Sequence, residues 1–394
     1  MARPARSDAF VAVGRRRRSD ETRRVAVVSL LAFLAGVVPT GIASATPVAP
    51  RSGPGEVGHT GSFLACEVTG LGGIDGGLSD ASVWAGLKEA RKMVPSLKIR
   101  DLVSESASDY KRNIDAFIRA HCGIIITVGY SMGGVTRAAA RSHPGREFAI
   151  VDYGYESTIG NVDSFLYETS QDAFLGGFLA AAMSRTGKVG TFGAERIPTV
   201  TSYMDGWVAG VCYFDRIDHK HVEVLGWTPQ KNRPKGSYGG YGTFTGSFTN
   251  EADGRAEATT LMQQGADVIF PVTGSSGLGA AAEVKQYGHG VTMEWADTDG
   301  CVLARKYCRL FLTSVTEEVA SSVETVVVAA AYGTFTGGNY IGDLANDGVT
   351  LTPFHSWAKA IPRRFQLDLA RLKPLVVSGR VSVDPDSYPA SCRR

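Results

Sequence analysis

Val68-Thr69-Gly70-Leu71-Gly72-Gly73-Ile74-Asp75-Gly76-Gly77-Leu78-Ser79, running on into Ala81-Ser82-Val83-Trp84-Ala85-Gly86-Leu87-Lys88-Glu89-Ala90, spells a strand, a glycine-rich turn and the start of an amphipathic helix. A strand that ends in glycines lets main chain approach a small ligand closely, and the helix that follows aims its free amide groups at polar ligand atoms. The same alternation continues down the chain. Gly123 to Val128, Glu147 to Asp152, Gly187 to Phe192, His221 to Gly226, Ala266 to Val272 and Gly290 to Trp295 read as buried strands. Between them Asp109 to Ala120, Asp172 to Arg185, Tyr203 to Tyr213, Glu251 to Gln264 and Gly279 to Tyr287 have helical periodicity. This order predicts an α/β fold with right-handed crossovers and parallel sheets covered by helices on both faces. Ligands of such sheets gather at the carboxyl ends of the strands, where this chain repeatedly places glycines and polar residues.

The first 55 or so residues read as separate from the fold. Arg15 to Arg18 with Arg23 and Arg24 form a basic head, Val25 to Val38 an apolar stretch, and Ala43-Ser44-Ala45 a small-residue cleavage site, the plan of an export signal. Thr22-Arg23-Arg24-Val25-Ala26-Val27 resembles a twin-arginine signal, and an ordinary secretory signal with surplus arginines fits as well. Lipidation is not expected: no cysteine stands between Met1 and Cys66, and Phe63-Leu64-Ala65-Cys66 falls inside the first strand. Left uncleaved, the apolar run is nearly long enough to hold the protein at a membrane.

About 340 residues remain, enough for two domains. The net charge of +2 partly reflects the arginines of the two termini, so it argues for no acidic partner, and nucleic acid is not expected. Six cysteines in an exported chain allow disulfides; Cys301 and Cys308 are near enough in sequence to close a small loop. Neither a metal site nor a cofactor is expected, since clustered histidines and CxxC spacing are lacking. Thr228 to Thr245, rich in Gly, Lys, Pro and Tyr, reads as a surface loop. Pro385 onward reads as a short disordered tail, although Cys392 offers it a disulfide.

One motif suggests catalysis. Ile124 to Val128 is a strand, Gly129-Tyr130-Ser131-Met132-Gly133 matches the G-x-S-x-G nucleophile elbow, and Gly134 to Ala140 continues as a helix. Asp297 or Asp299 followed by His355 supplies the chain order of an α/β-hydrolase triad around a Ser131 nucleophile. Against this, few strands precede the elbow and no HGGG-like oxyanion loop is evident. The other meaning of the motif is a strand-to-helix turn that lines a pocket with Tyr130 and the Ser131 hydroxyl.

Further blocks follow in order after the opening: Phe148-Ala149-Ile150-Val151-Asp152; Gly176-Gly177-Phe178-Leu179-Ala180-Ala181 with Thr186-Gly187-Lys188-Val189-Gly190; Pro198, Gly206 and Ala209-Gly210-Val211; Gly246-Ser247-Phe248-Thr249-Asn250; Gly265-Ala266-Asp267-Val268-Ile269-Phe270 with Gly274 and Gly277; Trp295-Ala296-Asp297-Thr298-Asp299; Leu312-Thr313-Ser314-Val315; and Asp347-Gly348-Val349-Thr350-Leu351. Together they resemble the basic membrane protein (BMP) family, the purine-nucleoside receptors that feed ATP-driven (ABC) importers. The resemblance implies a type I periplasmic-binding fold, two doubly wound parallel-sheet lobes joined by three crossing segments, with the ligand in the cleft. It implies an extracytoplasmic, monomeric solute-binding protein, not an enzyme, whose partners are a nucleoside-like ligand and a membrane permease. Expected boundaries are a signal over 1–45, a linker over 46–60, one lobe from 61–157 with about 298–330, and a second from 158–297 with about 331–365.

The resemblance also assigns the pocket. Phe248 corresponds to an aromatic that stacks on the base; Asp152 accepts hydrogen bonds from the base and Asp297 from ribose hydroxyls, while Gly274 or Gly277 lets backbone close in. A helix cap after a strand is the plainer role for either aspartate, and a core position the plainer role for Phe248. Departures from the family pattern touch the same pocket. Gly70 stands where an aspartate is usual, Leu78 where a second stacking aromatic is usual, Ser79 where an asparagine is usual, and Glu317 where a ligand-binding lysine is usual. An altered ligand is therefore expected, with Tyr130, Tyr153 and Tyr155 as replacement surface, or a cleft that has become a ligand-free sensor or interaction surface.

Overall fold

The computed structural model describes residues 62–76, 78–232 and 238–393, so the expected export signal and linker lie outside the described residues. Those residues belong to one compact unit, Glu56–Arg394. In chain order its elements begin β1 (Leu64–Leu71), α1 (Gly73–Gly76), α2 (Leu78–Met93), β2 (Lys98–Ser104), α3 (Asp109–Arg119), β3 (Ile124–Val128), α4 (Gly133–Ser142), β4 (Glu147–Val151) and β5 (Val162–Tyr167). There follow α5 (Thr169–Met183), β6 (Lys188–Gly193), α6 (Pro198–Asp218), β7 (Glu223–Leu225), β8 (Trp227–Pro229), β9 (Gly240–Gly242), α7 (Glu251–Gln263), β10 (Val268–Val272) and α8 (Gly277–Tyr287). The chain closes with β11 (Thr292–Asp297), α9 (Gly300–Leu303), β12 (Phe311–Glu317), α10 (Val319–Ala331), β13 (Gly338–Gly342), β14 (Val349–Leu351) and α11 (Arg363–Val377).

Two six-stranded sheets result, ordered β13-β5-β4-β3-β1-β2 and β14-β12-β11-β10-β6-β7. Their first five strands follow one plan, second-first-third-fourth-fifth, which is the doubly wound order with its switch point beside the first strand. Every pairing in the first sheet is parallel, and in the second only β14 runs antiparallel, against β12. The β-branched run Ile124-Ile125-Ile126-Thr127-Val128 shows why the inner strands form: it is buried on both faces, with Ile124 and Ile126 in one apolar cluster and Ile125 in another.

Local signals mark the helix ends. Proline opens α6 at Pro198 and His219 ends it in the left-handed region at φ 53°, while the Asn250 side chain caps α7 by accepting from Ala252 N at 3.0 Å. The crossing of α5 on α6 requires glycine: a Cβ on Gly177 would lie 1.9 Å from Trp207 O, and one on Gly210 2.0 Å from Phe174 O. The Gly-Gly-Phe and Ala-Gly-Val blocks are therefore one helix contact.

The chain changes lobe three times, as expected, but later than the sequence boundaries have it. Strand β5 completes the first sheet, so the first passage is at Tyr167–Thr169 and not at 157. Strand β12 belongs to the second sheet, α10 packs on α2 of the first lobe, and β13 pairs with β5 before β14 returns to the second. The boundaries fall at strand ends because a parallel strand must finish its ladder before the chain is free to cross. The passages are knitted together, Glu168 N donating to Gly342 O at 2.8 Å and Glu318 N to Gly348 O at 2.9 Å.

The C-terminus corrects a second expectation. Instead of a disordered tail, Pro385–Ser387 and Ala390–Arg393 form 3-10 turns, Tyr388 is buried and Cys392 is bonded to Cys212 of α6. Helix α11, which the sequence reading leaves unassigned, brings it there by laying Phe365, Leu369, Leu372 and Val376 on the second-lobe core. Cys301 pairs with Cys308 as its spacing allowed, and Cys66 with Cys122. The expected surface loop is anchored at its base as the β8–β9 hairpin, where buried Trp227 donates from Nε1 to Asp205 Oδ1 at 2.9 Å. Among the described residues no helix is long and apolar enough to cross a membrane.

The Cys212–Cys392 bond closes a span of 180 residues. Replacing both cysteines by alanine is expected to cost about 2 to 5 kcal/mol, read as a lower urea midpoint. A midpoint that does not move would show that tail burial alone holds the C-terminus.

Candidate functional site

The carboxyl ends of both sheets carry an aspartate in the same place: Asp152 directly after β4, and Asp297 at the end of β11, the fourth strand of each lobe. Both adopt left-handed backbone, φ 67° and 69°. Aspartate tolerates this region better than most residues, yet each instance costs on the order of 1 to 3 kcal/mol, a strain typical of residues aimed at a ligand. Thr298 N bonds Ala296 O at 2.9 Å, closing a tight turn on Asp297. The capping role falls instead to Asp299, which accepts from Cys301 N at 2.8 Å, and so leaves Asp297 to the cleft.

The two aspartates act on one another electrostatically. Burial first, then the Asp297 and Asp80 charges, push the Asp152 carboxyl up to about 7. Burial raises Asp297 to about 6 against a hydrogen bond from Tyr203 that lowers it. Glu317, at the end of β12, is raised well above the usual carboxylate range by burial and then by the charges of Asp152 and Asp297; its Oε1 accepts from Tyr203 OH at 3.1 Å. Thus a residue marked in the sequence as a charge reversal is one of the acids that line the cleft.

Asp80 is a buried acid beside this group that sequence reasoning missed. Gly70 N donates to Asp80 Oδ1 at 2.7 Å, and a Cβ on Gly70 would come within 3.4 Å of Asp80 Oδ2. The carboxylate absent at position 70 is thereby supplied from the first turn of α2. Burial holds the Asp80 carboxyl near 7, with the Gly70 bond pulling the other way. The available signal was its place two residues beyond Leu78, on the helix that the glycine turn leads into.

Leu78 and Ser79 begin that helix. Leu78 is buried within the apolar cluster built around Phe192, Ile269 and Trp295 of the second lobe, so this helix end bridges the lobes; Ser79 is partly buried beside it. Phe248 is partly buried at the edge of the second-lobe core, and its carbonyl accepts from Ser276 N at 2.9 Å and Ser275 Oγ at 3.2 Å. Gly274, at φ 57°, lets this turn settle: a Cβ there would stand 3.1 Å from Phe248 O. Gly277 serves packing, since its Cβ would touch the Trp295 ring at 3.2 Å. The tyrosine rings pack on one another, Tyr130 tilted against Tyr153 at 5.2 Å and Tyr153 edge-on to Tyr155 at 5.0 Å. Tyr155 is core, bonded to Gly133 O, which removes it as replacement ligand surface.

The catalytic alternative finds no assembled triad. Ser131 Oγ is 3.4 Å from Tyr110 OH in the first lobe, whereas His355 Nε2 is held 2.8 Å from Asp299 Oδ2 in the second. The elbow-like motif is one of a pair: β3 and β10, equivalent in the two sheets, each lead through a single 3-10 turn, Tyr130–Met132 or Gly274–Ser276, into a helix. Asp299, Cys301 and His355 place donor atoms within 4.8 Å of one another, but Cys301 Sγ is committed to Cys308 and offers no thiolate.

Raised carboxyl pKa values set the sign of a pH effect. The folded acids hold protons more tightly than the unfolded chain, so this stabilisation is full below the ordinary value of 3.8 and is lost as pH rises through about 6 and about 7. The melting temperature of the ligand-free protein should fall between pH 5 and pH 8, and fall less in Asp152→Asn. Equal slopes in the two proteins would mean that Asp152 is not desolvated.

Comparison with known proteins adds the following. A family model described as "ABC transporter substrate-binding protein PnrA-like" (Bmp) matches residues 65–234 and 241–378. Over 324 residues the chain is 26% identical to basic membrane protein A1 of Borrelia garinii subsp. bavariensis, covering 80% of this chain and 88% of that one. Over 378 residues it is 25% identical to the ABC transporter nucleoside-binding protein BmpA of Lactococcus lactis subsp. cremoris, covering 92% and 99%. A crystal structure of an ABC transporter solute-binding protein from Aeropyrum pernix superposes with TM-score 0.70 at 20% identity, over 81% of this chain and 92% of that one, a likeness of fold.

Proposed function

The chain belongs to the Bmp family of PnrA-like ABC transporter substrate-binding proteins, and from that premise we propose that it is an extracytoplasmic receptor that shuts its lobes on a small nucleoside-like ligand and delivers it to an ABC importer. What supports this reading is that Asp152 and Asp297, one from each lobe, stand at equivalent strand ends in strained backbone and that the charge of Asp297 acts on Asp152. Such a pair suits a molecule rich in hydrogen-bond donors: carboxylates accept from sugar hydroxyls and from base N–H groups. Phe248, held at the core edge by the Gly274 turn, supplies a flat apolar face for the base. A ligand that touches both lobes stabilises the shut form in proportion to its differential affinity for the two states. The passages at Tyr167–Thr169, at Glu317–Val319 and between β13 and β14 are where the backbone would absorb closure.

Titration calorimetry of the chain from Glu56 onward with purine and pyrimidine nucleosides tests this. At least one nucleoside should bind, and Phe248→Ala should weaken it about tenfold or more, since the ring contributes stacking beyond its buried area. Heat from none of them, with bases and sugars equally silent, would reject a nucleoside-like ligand.

A further inference from the structure

The charge of the cleft is one-sided. Asp80 on α2, Asp152 after β4, Asp172 on α5, Asp297 at the end of β11 and Glu317 at the end of β12 come from five elements of both lobes. The charges that act on them are one another's, the donors are main-chain amides and the Tyr203 hydroxyl, and among the described residues no lysine, arginine or histidine acts on any of the five. Tyr203, from α6, has a single proton to donate, yet both Glu317 and Asp297 depend on it. Tyr167, the other phenol beside Glu317 and Asp152, spends its proton on Ser322 Oγ at 3.1 Å.

Two fully buried acids add demand that the protein does not meet. Asp172 accepts from Ala173 N with Oδ1 at 3.0 Å, while its Oδ2 has no side-chain or main-chain hydrogen bond of good geometry. Behind Asp80, Glu67 of β1 is fully buried with both carboxylate oxygens lacking a partner. Buried carboxylates are ordinarily paired with a cation or saturated with donors, because an unpaired charge away from water is strongly unfavourable. A neutral ligand can donate hydrogen bonds here but leaves the mutual repulsion in place. A cationic nitrogen brings several donors and removes the repulsion together.

We propose that the ligand taken by this cleft is a cation: a small polar-aromatic molecule bearing a protonated amine or comparable nitrogen, of the class of an amino-sugar nucleoside, whose charge is held among Asp152, Asp297 and Glu317. This rests on the reading of the interlobe cleft as the ligand site and adds the sign of the ligand's charge.

The experiment is titration calorimetry at pH 7.5 with two matched pairs, 5′-amino-5′-deoxyadenosine against adenosine, and 1,4-diaminobutane against 1,4-butanediol. The aminated nucleoside should bind at least about tenfold tighter than adenosine, and Glu317→Gln or Asp152→Asn should shrink that advantage to about threefold or less. Adenosine binding as tightly as its amine, or tighter, overturns the inference while the nucleoside reading stands. Two silent nucleosides with a diamine that binds where the diol does not would reject the nucleoside reading and keep the cation. An advantage that survives both folded variants removes the charge from these acids and overturns the proposal, and silence from all four probes overturns both readings.

Discussion

Every passage of the chain between the lobes starts at the carboxyl end of a strand, and that geometry governs the rest of the molecule. Tyr167–Thr169 and Glu317–Val319 are at once the links between the sheets and, on the proposed function, the rim of the ligand cleft. A parallel ladder leaves the chain free only once its last hydrogen bond is made, so links and site are built from the same few residues. Glu317 illustrates the coupling. It ends β12, precedes the crossing into α10, and turns its carboxylate to Tyr203 of the second lobe. A change in protonation or ligation at Glu317 is therefore felt where the lobes are joined.

The duplicated plan of the two sheets explains why the sequence carries a hydrolase-like motif without a triad. A buried strand that must turn sharply into a helix needs a glycine in left-handed backbone and small residues after it. Gly129 at φ 102°, directly after β3, and Gly274 at φ 57°, one residue further on after β10, meet that need in the two lobes. Gly-Tyr-Ser-Met-Gly and Gly-Ser-Ser-Gly are two solutions to one steric problem. The aspartates one strand further along, Asp152 and Asp297, are the corresponding pair that act on one another electrostatically.

Gly70 and Asp80 are tied together across the glycine-rich turn. Gly70 leaves room at the end of β1, and Asp80, from the helix that begins a few residues on, fills that room and ties itself to the Gly70 amide. The exchange is inexpensive because the glycine-rich turn brings the first turn of α2 back over the strand it follows. Leu78 on the same turn meets the second lobe's core, so a position that would carry an aromatic face for a ligand here contributes apolar contact between lobes.

The two-lobed plan and the candidates Asp152, Phe248 and Asp297 came from the resemblance to the BMP family. The alternating order of apolar strands and helical stretches, written in local residue types, determined the α/β class and the glycine turns, because propensity and periodicity act over a few residues and survive in a linear reading. Tertiary structure alone decided where the lobes exchange chain, because the lobe of β5 and of β12 is set by pairing with strands far away in sequence. It decided that Cys392 reaches Cys212 across a span of 180 residues. It also decided that Asp80, Asp172, Asp297, Glu317 and Asp152 act on one another, since electrostatic repulsion depends on distances that no spacing in the sequence records.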